Sequence, residues 1–236
     1  MKILALDSTA IVASVALCED EKLLGEYTIQ NGNTHSETLL PMVESLLKAF
    51  ELTPRDIDLF AVSEGPGSFT GVRIGVATLK GLAFGSQTPC IGVSTLEALA
   101  QNLIDTDGLI CPVMNARRKQ VYTALFRCKD QCLTRLLPDD AIAISELDEV
   151  LKKHPQEPIR LCGDGYGITT ELLTSSTVPV SERLRHQSAY SVAQVAKRRY
   201  ESGIHTTDAE LVATYLRPSQ AERERNEKLR LQNNQE

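Results

Sequence analysis

The sequence predicts an α/β fold in which short apolar strands alternate with amphipathic helices. The first 30 residues contain three strand patterns in succession, as in a β-meander. Helix patterns then follow strand patterns along the chain, and both halves mix the two types, as duplicated α/β folds do. With 236 residues, the chain is long enough for one large domain or two small ones.

Composition and charge exclude several classes of function. The formal net charge of −6 predicts no basic surface, so we expect weak binding of nucleic acid by the chain alone. Six cysteines without a Cys-x-x-Cys pair indicate free thiols in a reducing compartment. No apolar run approaches the roughly 18 residues of a membrane span. We therefore expect a cytoplasmic protein with no membrane partner.

The first half is predicted to form an N-terminal lobe over residues 1–106. The expected strands cover residues 3–6, 12–17, 23–29, 59–62 and 89–93, and the expected helices cover residues 35–50, 68–85 and 94–103. Ser68 or Thr70 can cap the second helix, and the Ser94-Thr95-Leu96-Glu97 pattern is a capping box for the third. The polar segment 105–108 is the expected boundary.

The second half is predicted to form a C-terminal lobe over residues 107–218. Its expected strands cover residues 109–114, 121–126 and 159–162, and its expected helices cover residues 145–153, 169–173 and 190–200. A charged tail, residues 219–236, is expected to be an exposed helix or a frayed end.

Two helices carry more apolar or small surface than one sheet face requires. In helix 35–50 the apolar arc is roughly 160° wide at 100° per residue. Helix 68–85 has small residues spaced by four, which would let a facing helix approach closely. A central helix of a large core is the alternative. The predicted partner interface comprises Leu39, Leu40, Val43, Leu46, Leu47, Gly71, Ile74, Gly75, Thr78 and Gly81.

Three loops could contact a nucleotide or phosphate. Gly65-Pro66-Gly67 forms a turn before a helix, where backbone N–H groups can hold an anion, although it matches neither a P-loop nor a nucleophile elbow. Asp7 follows the first strand, and a basic turn includes Arg117. A plain or solvated turn is the alternative for each loop. The candidate contacts are Asp7, Ser8, Thr9, Gly65, Gly67, Arg117 and Arg118.

No metal site is predicted. The four histidines, at positions 35, 154, 186 and 205, lie far apart in the sequence and match no ligand spacing. We therefore expect the purified protein to contain no stoichiometric zinc or iron.

Several motifs together resemble one known family. They are Met1 to Thr9, His35-Ser36-Glu37, Gly65 to Gly75, Asn115-Ala116-Arg117-Arg118 and Tyr215-Leu216-Arg217 with Ala221-Glu222. This pattern is similar to that of the TsaB (YeaZ) family along essentially the whole chain. The resemblance implies an ASKHA (actin/Hsp70-like, RNase H-like) fold with two lobes.

The resemblance also implies a function. TsaB proteins are non-catalytic subunits that dimerise with TsaD, the catalytic subunit that makes N6-threonylcarbamoyladenosine at position 37 of tRNA. The expected partners are a TsaD-like subunit, a TsaE-like ATPase, tRNA only within the complex, and a second copy when the chain is alone. No tightly bound cofactor is expected, although ATP or ADP could bind at the complex interface. An ASKHA-type nucleotide hydrolase or kinase is the alternative, and a glycoprotease-like peptidase is a distant third.

Two departures from related motifs bear on catalysis. The stretch 92–100 matches the place where TsaD has a metal-binding His-x-x-x-His motif, and it contains no histidine. This absence separates the accessory from the catalytic branch. The family usually has acidic residues where this chain has Asn115 and Gln120. This chain therefore lacks those two carboxylates.

Overall fold

The computed structural model describes residues 1–217 of the chain. The predicted charged tail, 219–236, and the Ala221-Glu222 part of the closing motif lie outside these residues. The strands are β1 Lys2–Asp7, β2 Ala13–Glu19, β3 Lys22–Ile29, β4 Leu59–Gly65, β5 Cys90–Ser94, β6 Gly108–Asn115, β7 Gln120–Lys129, β8 Cys132–Ala143 and β9 Ile159–Cys162. The helices are α1 His35–Ala49, α2 Phe69–Ala83, α3 Thr95–Gln101, α4 Ile144–Leu151, α5 Tyr166–Leu172 and α6 Ala189–Glu201.

The strands form two sheets with related topology. The first sheet has the order β3-β2-β1-β4-β5, and the second has the order β8-β7-β6-β9. In both sheets, three antiparallel strands form a meander, and the next strand in sequence pairs in parallel with the first strand of that meander. The same arrangement in both halves confirms the prediction of an α/β fold with two lobes.

Helices cover both sheets on both faces. α1 and α2 pack on one face of the first sheet, and α6 packs on the other. α3 packs on the second sheet's inner face, and α4 and α5 cover its opposite face. The predicted C-terminal lobe therefore needs a correction, because α6 and the buried Leu211 belong to the cores of the first sheet.

Strand β8 was not predicted from the sequence. This strand contains Pro138-Asp139-Asp140, a combination typical of turns. It lies at the edge of the second sheet, where proline is tolerated because one side of the strand needs no ladder hydrogen bonds. Asp130 and Gln131 connect it to β7 with positive φ angles of 50° and 57°. The turn therefore lacks the glycine that usually marks such a hairpin.

The predicted role of the α1 arc in a partner interface is wrong for four of its five residues. Leu39, Val43, Leu46 and Leu47 are buried in the chain's own first core, against the sheet and α2. Neighbouring α2 covers part of the arc, so its width does not imply a second protein. Only Leu40, which is 44% exposed, remains available on the outside of the helix.

Two of the predicted interface glycines also face inward. A Cβ atom at Gly71 would lie 2.1 Å from the backbone oxygen of Ser8, and one at Gly75 would lie 2.6 Å from the Ser8 hydroxyl. Both glycines are buried, so the prediction that they admit a partner helix is wrong. Gly81 differs, because it is exposed and a Cβ there would meet no atom within 4 Å.

Substitution by alanine should separate the two kinds of glycine in α2. Gly71→Ala should destabilise the fold by about 1–3 kcal/mol, because the methyl group would collide with backbone. Gly81→Ala should stabilise it by about 0.5–1 kcal/mol, because alanine costs less entropy in a helix. Urea unfolding followed by circular dichroism measures both. Equal free energies of unfolding for the two variants would contradict the packing described for α2.

Candidate functional site

A cleft of about 550 Å³ opens between the two lobes. One wall is formed by the loop after β1 and the start of α2. The other wall is formed by the end of β6, the start of β7 and the loop after β9. The chain after α6 supplies a third side. The lining residues are Thr9, Ala10, Ile11, Pro66, Gly67, Ser68, Phe69, Thr70, Met114, Asn115, Ala116, Arg117, Tyr122, Asp164, Thr214, Tyr215, Leu216 and Arg217.

Three of the predicted nucleotide or phosphate contacts, Thr9, Gly67 and Arg117, line this cleft. Asp7 does not. It is fully buried, and its carboxylate accepts hydrogen bonds from the Thr9 amide, the Thr9 hydroxyl and the Ser63 hydroxyl. Burial raises the pKa of Asp7, and these hydrogen bonds offset part of the increase. Asp7 therefore stabilises the turn after β1 and is not presented to a metal–phosphate group.

Ser8, Gly65 and Arg118 also lie outside the cleft lining. The Ser8 hydroxyl donates to the Gly71 carbonyl over 2.9 Å. Gly65 packs against the backbone of Thr214, where a Cβ would lie 2.3 Å from the carbonyl oxygen. Arg118 is exposed in a turn with a φ angle of 52°. These three predicted contacts are therefore corrected: Ser8 and Gly65 make contacts within the first lobe, and Arg118 is not part of the cleft lining.

The second-lobe wall is built on local polar contacts. The backbone amide of Asn115 donates a hydrogen bond of 3.1 Å to the Asp164 carboxylate. The backbone amide of Arg117 donates one of 2.9 Å to the Asn115 side-chain oxygen. Burial raises the pKa of the Asp164 carboxyl, and backbone hydrogen bonds offset part of that effect. Asn115 thus uses a neutral side-chain oxygen to hold the turn, a role that does not require a carboxylate.

The segment 214–217 is not among the site residues predicted from the sequence, although Tyr215-Leu216-Arg217 is one of the family motifs. All four residues line the cleft. The motif was a usable signal, because an aromatic and a basic residue lie close together near the end of the described chain. Only the fold places this segment opposite Gly67 and Arg117.

The chemistry available in residues 1–217 is limited. These residues contain no group of three His, Cys, Asp or Glu side chains arranged to hold a metal ion. Five of the six cysteines are buried, and burial raises the pKa of Cys18 and Cys111 to about 12. Such thiols stay protonated at neutral pH and are poor nucleophiles. None of the helices found in this range is both long enough and apolar enough to cross a membrane.

A second feature is the exposed side of α2. Arg73, Ala77 and Gly81 follow one another at intervals of four residues on this side, and Phe84, 82% exposed, stands at its end. We call these four residues the α2 outer face. Ile74 and Thr78, which were predicted for the interface, are half-buried beside it. The remaining predicted interface residues are therefore Leu40, Ile74, Thr78 and Gly81, on or near one surface.

The duplicated sheet topology, with helices on both faces of each sheet and a cleft between the lobes, defines a two-lobed α/β protein of the ASKHA class. A family model described as "TsaD: tRNA N6-adenosine threonylcarbamoyltransferase" matches residues 24–221. The chain belongs to the TsaB (YeaZ) branch of this family.

Individual relatives support this membership. The TsaB protein of Bacillus subtilis is 33% identical over 226 residues, which cover 94% of this chain and 96% of the relative. The TsaB protein of Escherichia coli is 38% identical over 129 residues, 54% of this chain and 55% of the relative. Both are described as tRNA threonylcarbamoyladenosine biosynthesis proteins. YeaZ from Pseudomonas aeruginosa superposes with a TM-score of 0.76 at 25% identity, covering 91% of this chain and 99% of that one.

The half-buried carboxyl of Asp164 should make the free energy of unfolding depend on pH. Its raised folded-state pKa means that folding favours the protonated acid, so its stabilising contribution is lost as pH rises through that pKa. Asp164→Asn carries no charge at any pH. The variant should therefore gain stability relative to the unsubstituted protein between about pH 4 and pH 7, by about 1.4 kcal/mol for each unit of pKa elevation.

Urea unfolding at several pH values measures this difference. Glu44→Gln, at an exposed position in the middle of α1, is the matched control for the loss of one carboxyl group. A stability difference for Asp164→Asn that stays constant across this range would show that Asp164 carries no burial penalty.

Proposed function

We propose that the chain is a non-catalytic scaffold subunit in the formation of N6-threonylcarbamoyladenosine at position 37 of tRNA. In this proposal it pairs with a TsaD-like catalytic subunit through the α2 outer face and activates it. The names of its relatives supply the pathway. The observation that supports the binding role is the exposed side of α2, where no packing contact within the chain requires a residue as small as Gly81.

Gly81 illustrates this point. Glycine in a helix interior costs about 1 kcal/mol relative to alanine. At Gly71 the cost has a reason within the chain, since the backbone of Ser8 lies against it, whereas Gly81 faces open space. A partner helix packed closely against α2 would explain why position 81 is a glycine. Helix axes approach to about 8–10 Å depending on the side chains at the contact, and small residues permit the shorter distances.

The apolar residues around this face supply area for binding. Phe84 is 82% exposed at the end of α2, and Leu40 is 44% exposed on the adjacent helix α1. An aromatic side chain that is this exposed in one chain is a suitable anchor for a pocket in another. Arg73 adds a charged group that can lie at the polar rim of such an interface.

The lack of an evident reaction centre in residues 1–217 supports the scaffold role. Asp7, the carboxylate that an ASKHA-type hydrolase or kinase would be expected to use, is enclosed by the hydrogen bonds of its own turn. The proposal extends to the other members of the machinery. A TsaE-like ATPase and tRNA would join the pair of subunits, ATP or ADP would bind at the complex interface, and the chain alone would form a homodimer through the same face.

A glycine-to-leucine substitution tests the interface. Gly81→Leu should weaken binding to the TsaD-like subunit by about 1–3 kcal/mol, or about 5- to 150-fold, because a large side chain enters a close contact between helices. Isothermal titration calorimetry with the purified partner measures the affinity. A Cβ atom at this exposed position would meet no atom within 4 Å, so we expect the fold to be retained.

Gly167→Leu is a matched control. Gly167 is also an exposed glycine in a helix, α5, with no atom within 4 Å of a Cβ, but it lies in the second lobe. Its substitution should leave the affinity unchanged. Unchanged affinity for a folded Gly81→Leu variant would refute the proposed interface.

Nucleotide turnover separates the scaffold from an enzyme. The isolated chain should hydrolyse no ATP above the rate of a buffer control, because Asp7 is not available to a metal–phosphate group. A coupled-enzyme assay of ADP release measures this. Steady turnover that copurifies with the chain and is abolished by Asp7→Asn would instead favour a nucleotide hydrolase.

A further inference from the structure

The chain after α6 crosses from one lobe to the other. We call residues 211–217 the strap. Its first residue, Leu211, is buried in the core of the first lobe. The Lys80 ammonium of α2 donates to the carbonyl oxygens of Ala209 and Leu211, over 3.2 and 3.1 Å. The beginning of the strap is therefore fixed to the first lobe by side-chain burial and by backbone acceptors.

The middle of the strap stays on the first lobe. The Thr214 amide donates to the Glu64 carbonyl over 2.7 Å, and the Thr214 carbonyl lies where a Cβ at Gly65 would be. Gly65 has a φ angle of 118°, which side chains rarely adopt, so this close approach depends on glycine. Gly65, at the end of β4, therefore allows the backbone of the strap to pack closely against this strand.

Tyr215 extends this contact to the first turn of α2. Its ring lies 4.7 Å from the Phe69 ring, centroid to centroid. Its hydroxyl accepts a hydrogen bond of 2.9 Å from Arg73 Nε, and the Arg73 guanidinium lies 3.8 Å above the Phe69 ring. These three side chains form a stack beside the cleft, since Phe69 and Tyr215 both line it.

The side chain of Arg217, at the end of the strap, forms hydrogen bonds with the second lobe. Arg217 Nη1 donates to the Gln120 side-chain oxygen of β7 over 2.7 Å, and Nη2 donates to the Ala141 carbonyl of β8 over 2.9 Å. The planar guanidinium thus spans two neighbouring strands of the second sheet. The two ends of the strap differ in how they are held. Leu211 is buried and its carbonyl oxygen accepts a hydrogen bond, whereas at the other end the half-buried side chain of Arg217 makes the hydrogen bonds.

We propose that the strap links the two lobes across the cleft and keeps them at a fixed separation. In a two-lobed protein with an occupied cleft, a bound ligand can make this link. Arg217 is the releasable end of the strap. The lobes are also joined outside the cleft lining, where the apolar side of α3 packs on the second sheet, the Ser94 hydroxyl bonds to Asp139 and Arg135 pairs with Glu97. Release of Arg217 therefore lets the cleft widen while this second junction keeps the lobes connected.

The distance between spin labels in the two lobes tests this proposal on the full-length chain. Ser45→Cys in α1 and Glu146→Cys in α4 place labels at exposed positions of the first and second lobes. Cys132→Ser removes the exposed native thiol, and the other five cysteines are buried. Double electron–electron resonance then gives the distribution of distances between the lobes.

Arg217→Ala should lengthen the mean distance and broaden its distribution, because both hydrogen bonds from the Arg217 side chain to the second lobe are lost. Arg217→Lys should give an intermediate broadening, since an ammonium cannot span both acceptors as the planar guanidinium does. Arg183→Ala, at an exposed arginine of the second half, is the control and should match the unsubstituted chain.

Circular dichroism establishes that each variant is folded. If Arg217→Ala unfolds, the Arg217→Lys distribution decides in its place. Distributions for a folded Arg217→Ala and for Arg217→Lys that coincide with that of Arg183→Ala would overturn the proposal, and would mean that the rest of the junction alone sets the separation of the lobes.

Discussion

The close contact between α2 and the chain after β1 is the constraint on which the rest of the structure depends. The Ser68 amide donates to the Thr9 carbonyl over 2.7 Å, and the Ser8 hydroxyl donates to the Gly71 carbonyl over 2.9 Å. Gly67 and Gly71 have no side chain at the two points where the segments touch. Any larger residue would push the helix away from the sheet. The glycines therefore determine both the depth and the rotation of α2.

That rotation has two consequences for function. The face with Gly71 and Gly75 is turned onto the sheet, so the face with Ala77 and Gly81 is turned outward. The start of the same helix forms one wall of the cleft, with Phe69 against Tyr215. One helix thus carries the proposed partner surface along its side and supports the strap at its first turn. A buried carboxylate, Asp7, stabilises the adjoining turn, and its hydrogen bonds offset part of the cost of its burial.

Local patterns in the sequence were sufficient for most of the secondary structure. The three-strand meander, the capped starts of α2 and α3, and the alternation of strands with helices all depend on residues close in the chain. The motifs were sufficient for the family. The same patterns failed at β8, because a proline and two aspartates obscure an edge strand whose pairing with β7 is decided by tertiary contacts.

The sequence by itself determined the element types, the α/β class and the membership of the TsaB family. Only the tertiary structure decided which apolar residues are covered, since helical periodicity shows which residues share a face and not what lies against it. Val43 and Leu47 are covered, whereas Leu40 on the same helix is exposed. Likewise, the tertiary structure alone shows that α6 packs on the first sheet and that Arg217 contacts the second lobe. These placements depend on contacts between residues far apart in the chain, and no local pattern encodes them.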